Sequence, residues 1–137
     1  MDVDKLREEL KRDEGCVHSV YLDHLNLPTT GIGHLLTEWD EEYGKPVGTK
    51  VSEDRVNELF AKDIQVTIDE CKVLYEYFDD LPEEAQRIIA NMMFNLGRPR
   101  LSKFVKMYEA VMDANWIEAA IQMEDSLWAK QVPKRAE

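Results

Sequence analysis

Three side chains between positions 14 and 34 are of the types and spacing that acid–base chemistry uses. A carboxylate stands at Glu14, a second nine residues later at Asp23, and a hydroxyl six further on at Thr29, just ahead of a Gly31-Ile32-Gly33-His34 turn. Glycoside hydrolysis asks for such a set: one protonated carboxyl to donate to the leaving oxygen, and a second polar group to stabilise positive charge or orient water. Glu14 suits the donor role, Asp23 the second, with Thr29 helping to hold the water. Taken singly, each has a plainer reading. A glutamate at a helix end is ordinarily a solvated charge, an aspartate beside a turn ordinarily caps it, and a threonine there is an ordinary strand residue.

The elements that must position these residues are legible from periodicity. Val3, Leu6 and Leu10 keep helical spacing, so a short and largely exposed helix runs to about Arg12 and ends near Glu14 and Gly15. Residues 16 to 36 alternate small or apolar with polar side chains around turn residues and read as a short antiparallel sheet. Ser52 then caps a helix whose first turn carries Glu53 and Asp54. Its stripe of Val56, Leu59, Phe60, Ile64, Ile68, Cys71 and Leu74 or Tyr75 is too long for one face of a small lobe, and reads as a strut between two lobes. Asp80 and Glu83 have capping-box spacing before a helix that stops at Gly97. Its apolar stripe is Ala85, Ile88, Ile89, Met92, Met93 and Leu96. Shorter helices follow near 102 to 113, 116 to 124 and 126 to 131.

Composition removes several function classes. The chain has 137 residues and a formal net charge of −11, which argues against nucleic acid and anionic membranes as partners. No apolar run reaches the roughly 20 residues needed to cross a bilayer, and the first residues lack a secretory pattern. Cys16 and Cys71 form no metal or redox spacing, so free, mostly buried thiols are expected, with no metal and no cofactor. A cysteine protease built on Cys16 and His18 lacks anything to orient the histidine. Met92, Met93 and Phe94, with Trp116 and Trp128, sit at helical spacing and read as core. Trp39, in a polar loop, is either a partly packed anchor or a sugar-stacking face, the anchor being the commoner case.

Jointly, Glu14-Gly15, Tyr21-Leu22-Asp23 and Thr29-Thr30-Gly31-Ile32-Gly33-His34 resemble the signature of the phage lysozyme family, with the family's spacing. Such a match arises by chance at about one in ten million per start. The similarity continues through HLLTE, NMMFNLG, NWIEAA and SLWAKQVPKRA. It implies an α+β, mainly helical lysozyme-like fold: a single domain over 1–137 with a sheet lobe at about 13–60, a connecting helix at 52–77, and a helical lobe at 80–137 joined by the helix at 1–12. It also implies an inverting muramidase that acts on bacterial peptidoglycan as a monomer, made in a host cytoplasm and released to the wall. Glu14 carries over as the acid, and Asp23 and Thr29 as the residues flanking the attacking water. Leu35, Phe94, Asn95 and Leu96 match cleft-lining positions, and Gln122 and Gln131 positions that touch the sugar chain. His34 matches a structural histidine that pairs with an aspartate early in the long helix, here Asp63. Gly31 and Gly33 serve the turn backbone. Arg135 matches an arginine that pairs with the acid, or is an ordinary exposed cation.

The chain departs from the pattern in places. Asn26 replaces a family glycine, and two adjacent threonines leave a choice that spacing from Gly31 gives to Thr29. The sequence ends where family members commonly continue into another helix, and its acidic balance opposes encounter with an anionic polymer. Other readings are a lytic transglycosylase, which closes an anhydro ring instead of adding water, and a catalytically silent module that binds cell wall.

Overall fold

The first helix stops where the sequence supplies a glycine. In the computed structural model, which describes residues 1 to 125 and their side chains to residue 122, α1 spans Val3–Glu14. Leu6 and Leu10 on it are fully buried, so the helix is less exposed than its sparse apolar residues suggested. Each such side chain stabilises by about 2 kcal/mol on burial. Gly15 follows in left-handed geometry at φ +73°, and its N–H reaches the Lys11 carbonyl at 3.0 Å. A glycine adopts that conformation at no steric cost, and the chain leaves α1 at Glu14.

β1 (Val17–Leu22), β2 (Pro28–Gly31) and β3 (His34–Leu35) form one antiparallel sheet in that order. Tyr21 stands opposite Thr29, and Thr29 opposite Leu35. Directly opposed residues share a face, so Tyr21, Thr29 and Leu35 make one row across the three strands. Thr30 is on the other face, fully buried, with its hydroxyl on the Ser19 carbonyl at 2.8 Å. The turn between β1 and β2 holds Asn26 at φ +61°, the left-handed geometry that asparagine tolerates.

α2 (Glu53–Leu74) begins at the expected cap, with Ser52 Oγ accepting the Arg55 N–H at 3.1 Å. Its Val56 packs under β2: a Cβ on Gly31 would lie 3.2 Å from Val56 Cγ1. The chain divides into two compact units, residues 7 to 66 and residues 1 to 6 with those from 67 onward. α2 contributes to both.

The second of these units is helical. A 3-10 turn, Phe78–Asp80, leads into α3 (Glu83–Leu96). The capping box expected from Asp80 and Glu83 does not form. Asp80 is consumed by the 3-10 turn, Pro82 precedes the helix with no side-chain cap, and Glu83 Oε1 accepts instead from the Asp2 N–H at 3.1 Å and Arg87 Nε at 2.9 Å. The buried face of α3 is wider than the expected stripe, since Gln86, Ala90 and Asn91 are buried while Ala85 and Ile88 are half-buried. Gln86 is there for a reason: its Nε2 donates to the Asp79 and Leu81 carbonyls at 3.0 and 2.8 Å. After Gly97 come α4 (Arg98–Leu101), α5 (Val105–Met112) and α6 (Trp116–Asp125). The helix expected from 102 thus starts at Val105. Met92 and Met93 are core, but Phe94 is half-buried and Trp116 is 38% exposed, so neither joins it fully. Trp128 and the helix expected near 126 to 131 lie outside the described residues. The architecture is α+β, mainly helical, with one small antiparallel sheet.

Within the sheet unit, charged pairs fasten β3 and the following loop to α2. His34 Nδ1 lies 2.6 Å from Asp63 Oδ2, and Nε2 lies 2.9 Å from Asp40 Oδ2. Arg55 forks onto Glu42 at 2.7 and 3.0 Å and reaches Glu58 at 3.0 Å. The Arg55 hydrogen bonds hold the Glu42 carboxyl below its ordinary range. Burial alone would lower the pKa of His34, but its bonds to Asp63 and Asp40 and their charges outweigh burial and raise it. A raised histidine contributes stability that is complete below its unfolded pKa and is lost as pH rises through the folded one. His34→Gln should therefore destabilise the protein by about 2 kcal/mol near pH 6. The gap to wild type should narrow at alkaline pH, as read by urea melts across pH; a gap independent of pH would contradict this.

Candidate active site

The loop between β1 and β2 is built around the backbone of Leu27. Its N–H donates to Asp23 Oδ1 at 3.0 Å, and the Leu25 N–H donates to the same oxygen at 2.8 Å. Its carbonyl accepts the Thr29 hydroxyl at 2.9 Å and the Asp23 N–H at 3.0 Å. One peptide position therefore sets Asp23 and Thr29 relative to each other. The Leu27 N–H holds the Asp23 carboxyl below the usual carboxylate range; burial opposes it, and the Leu25 N–H and the charge of His24 add to the lowering. Asp23 is thus ionised at neutral pH. No hydrogen bond to its Oδ2 occurs among the described residues. Thr29 has one hydroxyl hydrogen, and a carbonyl only accepts, so toward anything else Thr29 Oγ1 is an acceptor.

Glu14 closes α1, and its carboxyl lies against the β2–β3 turn. A Cβ built on Gly33, whose φ is +65°, would meet Glu14 Oε2 at 2.9 Å. Only glycine leaves that space, which gives Gly33 a role beyond the turn itself. Tyr21, half-buried on β1, joins the two carboxylates electrically. Burial first, then the charges of Glu14, Asp23 and Cys16, push its phenol up, so it keeps its proton.

The sheet unit thus contains Glu14, Asp23, Thr29, Gly31, Gly33, His34, Leu35 and Asp63. Leu35 is 48% exposed beside Thr29. Thr30 is committed to the Ser19 carbonyl, which leaves Thr29 as the threonine on the Asp23 side. Phe94, Asn95 and Leu96 close α3 in the helical unit, half-buried, exposed and buried in turn. Gln122, on α6, donates to Glu118 at 2.8 Å. Gln131 and Arg135 lie outside the described residues. Trp39 is 88% exposed and so is not the packed anchor that was the commoner expectation. His18 has its Nε2 4.0 Å from Cys16 Sγ. Cys71 is buried, Cys16 only partly so, and both are free. Among the described residues, no group of three or more His, Cys, Asp or Glu is placed to hold a metal ion, and no helix is long and apolar enough to cross a membrane.

Sequence reasoning missed the Leu27 backbone, Asp40 as the second partner of His34, and Tyr21 as the group between the carboxylates. Only Tyr21 carried a signal, as part of the Tyr-x-Asp run.

The profile of the phage lysozyme family matches residues 11–136. The chain is 31% identical to probable T4-type lysozyme 2 of Dictyostelium discoideum, over 98% of this chain and 90% of that protein. It is 27% identical to the pre-baseplate central spike protein of Enterobacteria phage T4, over 96% of this chain and 26% of that protein. It is also 26% identical to a peptidoglycan hydrolase of Pseudomonas phage phiKMV, over 99% of this chain and 15% of that protein. With a profile that runs through the signature residues and nearly to the C-terminus, the chain belongs to the phage lysozyme family of enzymes.

Proposed function

We propose that the protein is a muramidase that cleaves the β-1,4 bond between N-acetylmuramic acid and N-acetylglucosamine in bacterial peptidoglycan, with inversion, in cell-wall lysis by a phage. Glu14, protonated, gives its hydrogen to the glycosidic oxygen as the bond from the anomeric carbon breaks. A water held by Asp23 and Thr29 attacks that carbon from the opposite side, and Asp23 takes the proton the water loses. The products are a new reducing end and a free hydroxyl, with Glu14 ionised and Asp23 protonated until solvent resets them.

The observation that carries this reading is the shared hold of Leu27 on Asp23 and Thr29. Both side chains have their backbone-facing capacity used, and both offer only acceptors outward. A water donating one hydrogen to each directs its remaining electron density elsewhere, which is the arrangement a nucleophile needs. A transglycosylase has no use for a held water. Leu35, Phe94, Asn95, Leu96, Gln122 and Gln131 are the proposed glycan contacts, and Arg135 the proposed partner of Glu14.

Three substitutions test these roles. Glu14→Gln should lower turbidity clearing of purified cell walls by at least about 100-fold with the fold intact; clearing near the wild-type rate would refute the acid. Thr29→Val, which deletes the acceptor, should cost about 100-fold in kcat, whereas Thr29→Ser should retain most of the rate; equal activity of the two would show that the oxygen is idle. Gly33→Ala should displace the Glu14 carboxyl and cost about 100-fold in rate, with only about 1 kcal/mol of stability. In that variant, full activity would mean Glu14 need not lie against the turn.

A further inference from the structure

A water held between Asp23 and Thr29 is incompletely fixed by them. Asp23 is ionised and can only accept. Thr29 has its hydrogen on the Leu27 carbonyl and can also only accept. Such a water donates both hydrogens and has two lone pairs left. One must point at the anomeric carbon, and without a hydrogen-bond donor for the other the molecule can rock about the line joining its two acceptors.

Tyr21 is positioned to supply that donor. It is the cross-strand partner of Thr29, so the two side chains rise from the same face with Cβ atoms about 5 Å apart. It also precedes Asp23 by two residues, the spacing that keeps side chains of an extended chain on one side. Among the described residues its hydroxyl makes no hydrogen bond, so its hydrogen is not spent on any of them. Burial first, and then the carboxylates nearby, favour the protonated phenol, and a protonated phenol is a donor.

We propose that Tyr21 is a further catalytic residue, donating its hydroxyl hydrogen to the attacking water and so aiming the remaining lone pair at the sugar. The inference rests on the hydrolytic reading above. The step balances without a change at Tyr21: the water oxygen bonds to the anomeric carbon, its lost proton goes to Asp23, and Glu14 supplies the proton on the leaving oxygen. Tyr21 keeps its own hydrogen throughout. Its one requirement is that the phenol stay neutral.

The test is Tyr21→Phe assayed on soluble peptidoglycan glycan fragments, with Glu14→Gln alongside. Tyr21→Phe keeps the ring and should fold with an unchanged thermal midpoint. Its kcat should fall about tenfold, the loss of one neutral hydrogen bond, while KM and the midpoints of the pH profile stay put. An unchanged kcat would overturn the proposal. So would a loss confined to KM, which would make the hydroxyl a sugar contact, or a moved pH midpoint with an intact plateau, which would make it a tuner of the carboxylates. If Tyr21→Phe matches wild type while Glu14→Gln is inactive, the hydrolytic reading stands and the role of Tyr21 falls. If Glu14→Gln is active, both fall.

Discussion

The Leu27 backbone is the constraint on which the site depends. Its N–H fixes one oxygen of Asp23, and its carbonyl fixes the hydroxyl hydrogen of Thr29. Backbone groups are well suited to this, because they move only with the hairpin and do not change rotamer. The paired strands hold the hairpin, the Asn26 turn sets its length, and Val56 packs so closely under Gly31 that β2 has little freedom on that side. The side chain of Leu27 has no part in this and is 40% exposed.

Electrostatics then separate the groups by role. Asp23 is held ionised by the Leu27 and Leu25 N–H donors, while Tyr21 is held neutral by burial first and then by the charges of Glu14 and Asp23. An ionised carboxylate and a neutral phenol thereby stand two residues apart at the end of β1. His34 stands on the adjoining strand between Asp63 and Asp40, tying β3 to the long helix and to the loop that follows.

What the sequence made legible was what side-chain identity and period encode. The sheet between 16 and 36, the Ser52 cap and the Gly97 stop all follow from local rules, and each has its counterpart in the structure. What escaped was of other kinds. The role of Leu27 belongs to its backbone, and any residue there except proline, which lacks the N–H, could supply it. The Asp40–His34 and Arg55–Glu42 pairs join a loop to a helix or strand at separations with no fixed period. The Asp80–Glu83 spacing matched a capping box, but the 3-10 turn took Asp80 first and the N–H of Asp2 claimed Glu83. Gln86 and Asn91 are polar and lie outside any apolar stripe, yet both are on the buried face of α3; Gln86 is buried because two carbonyls of the preceding turn need a donor. A ring as large as that of Trp39 suggests burial, yet nothing in its loop covers it.

The most direct measurement is the configuration of the newly released reducing end, read by proton NMR in the first moments of glycan cleavage, before the anomers equilibrate. If a water held at Asp23 and Thr29 attacks from the side opposite the leaving group, the α-anomer of the product must come first. Initial release of the β-anomer would mean that the displaced oxygen's side was attacked or a covalent intermediate was formed, and the water site described here would not be the source of the nucleophile.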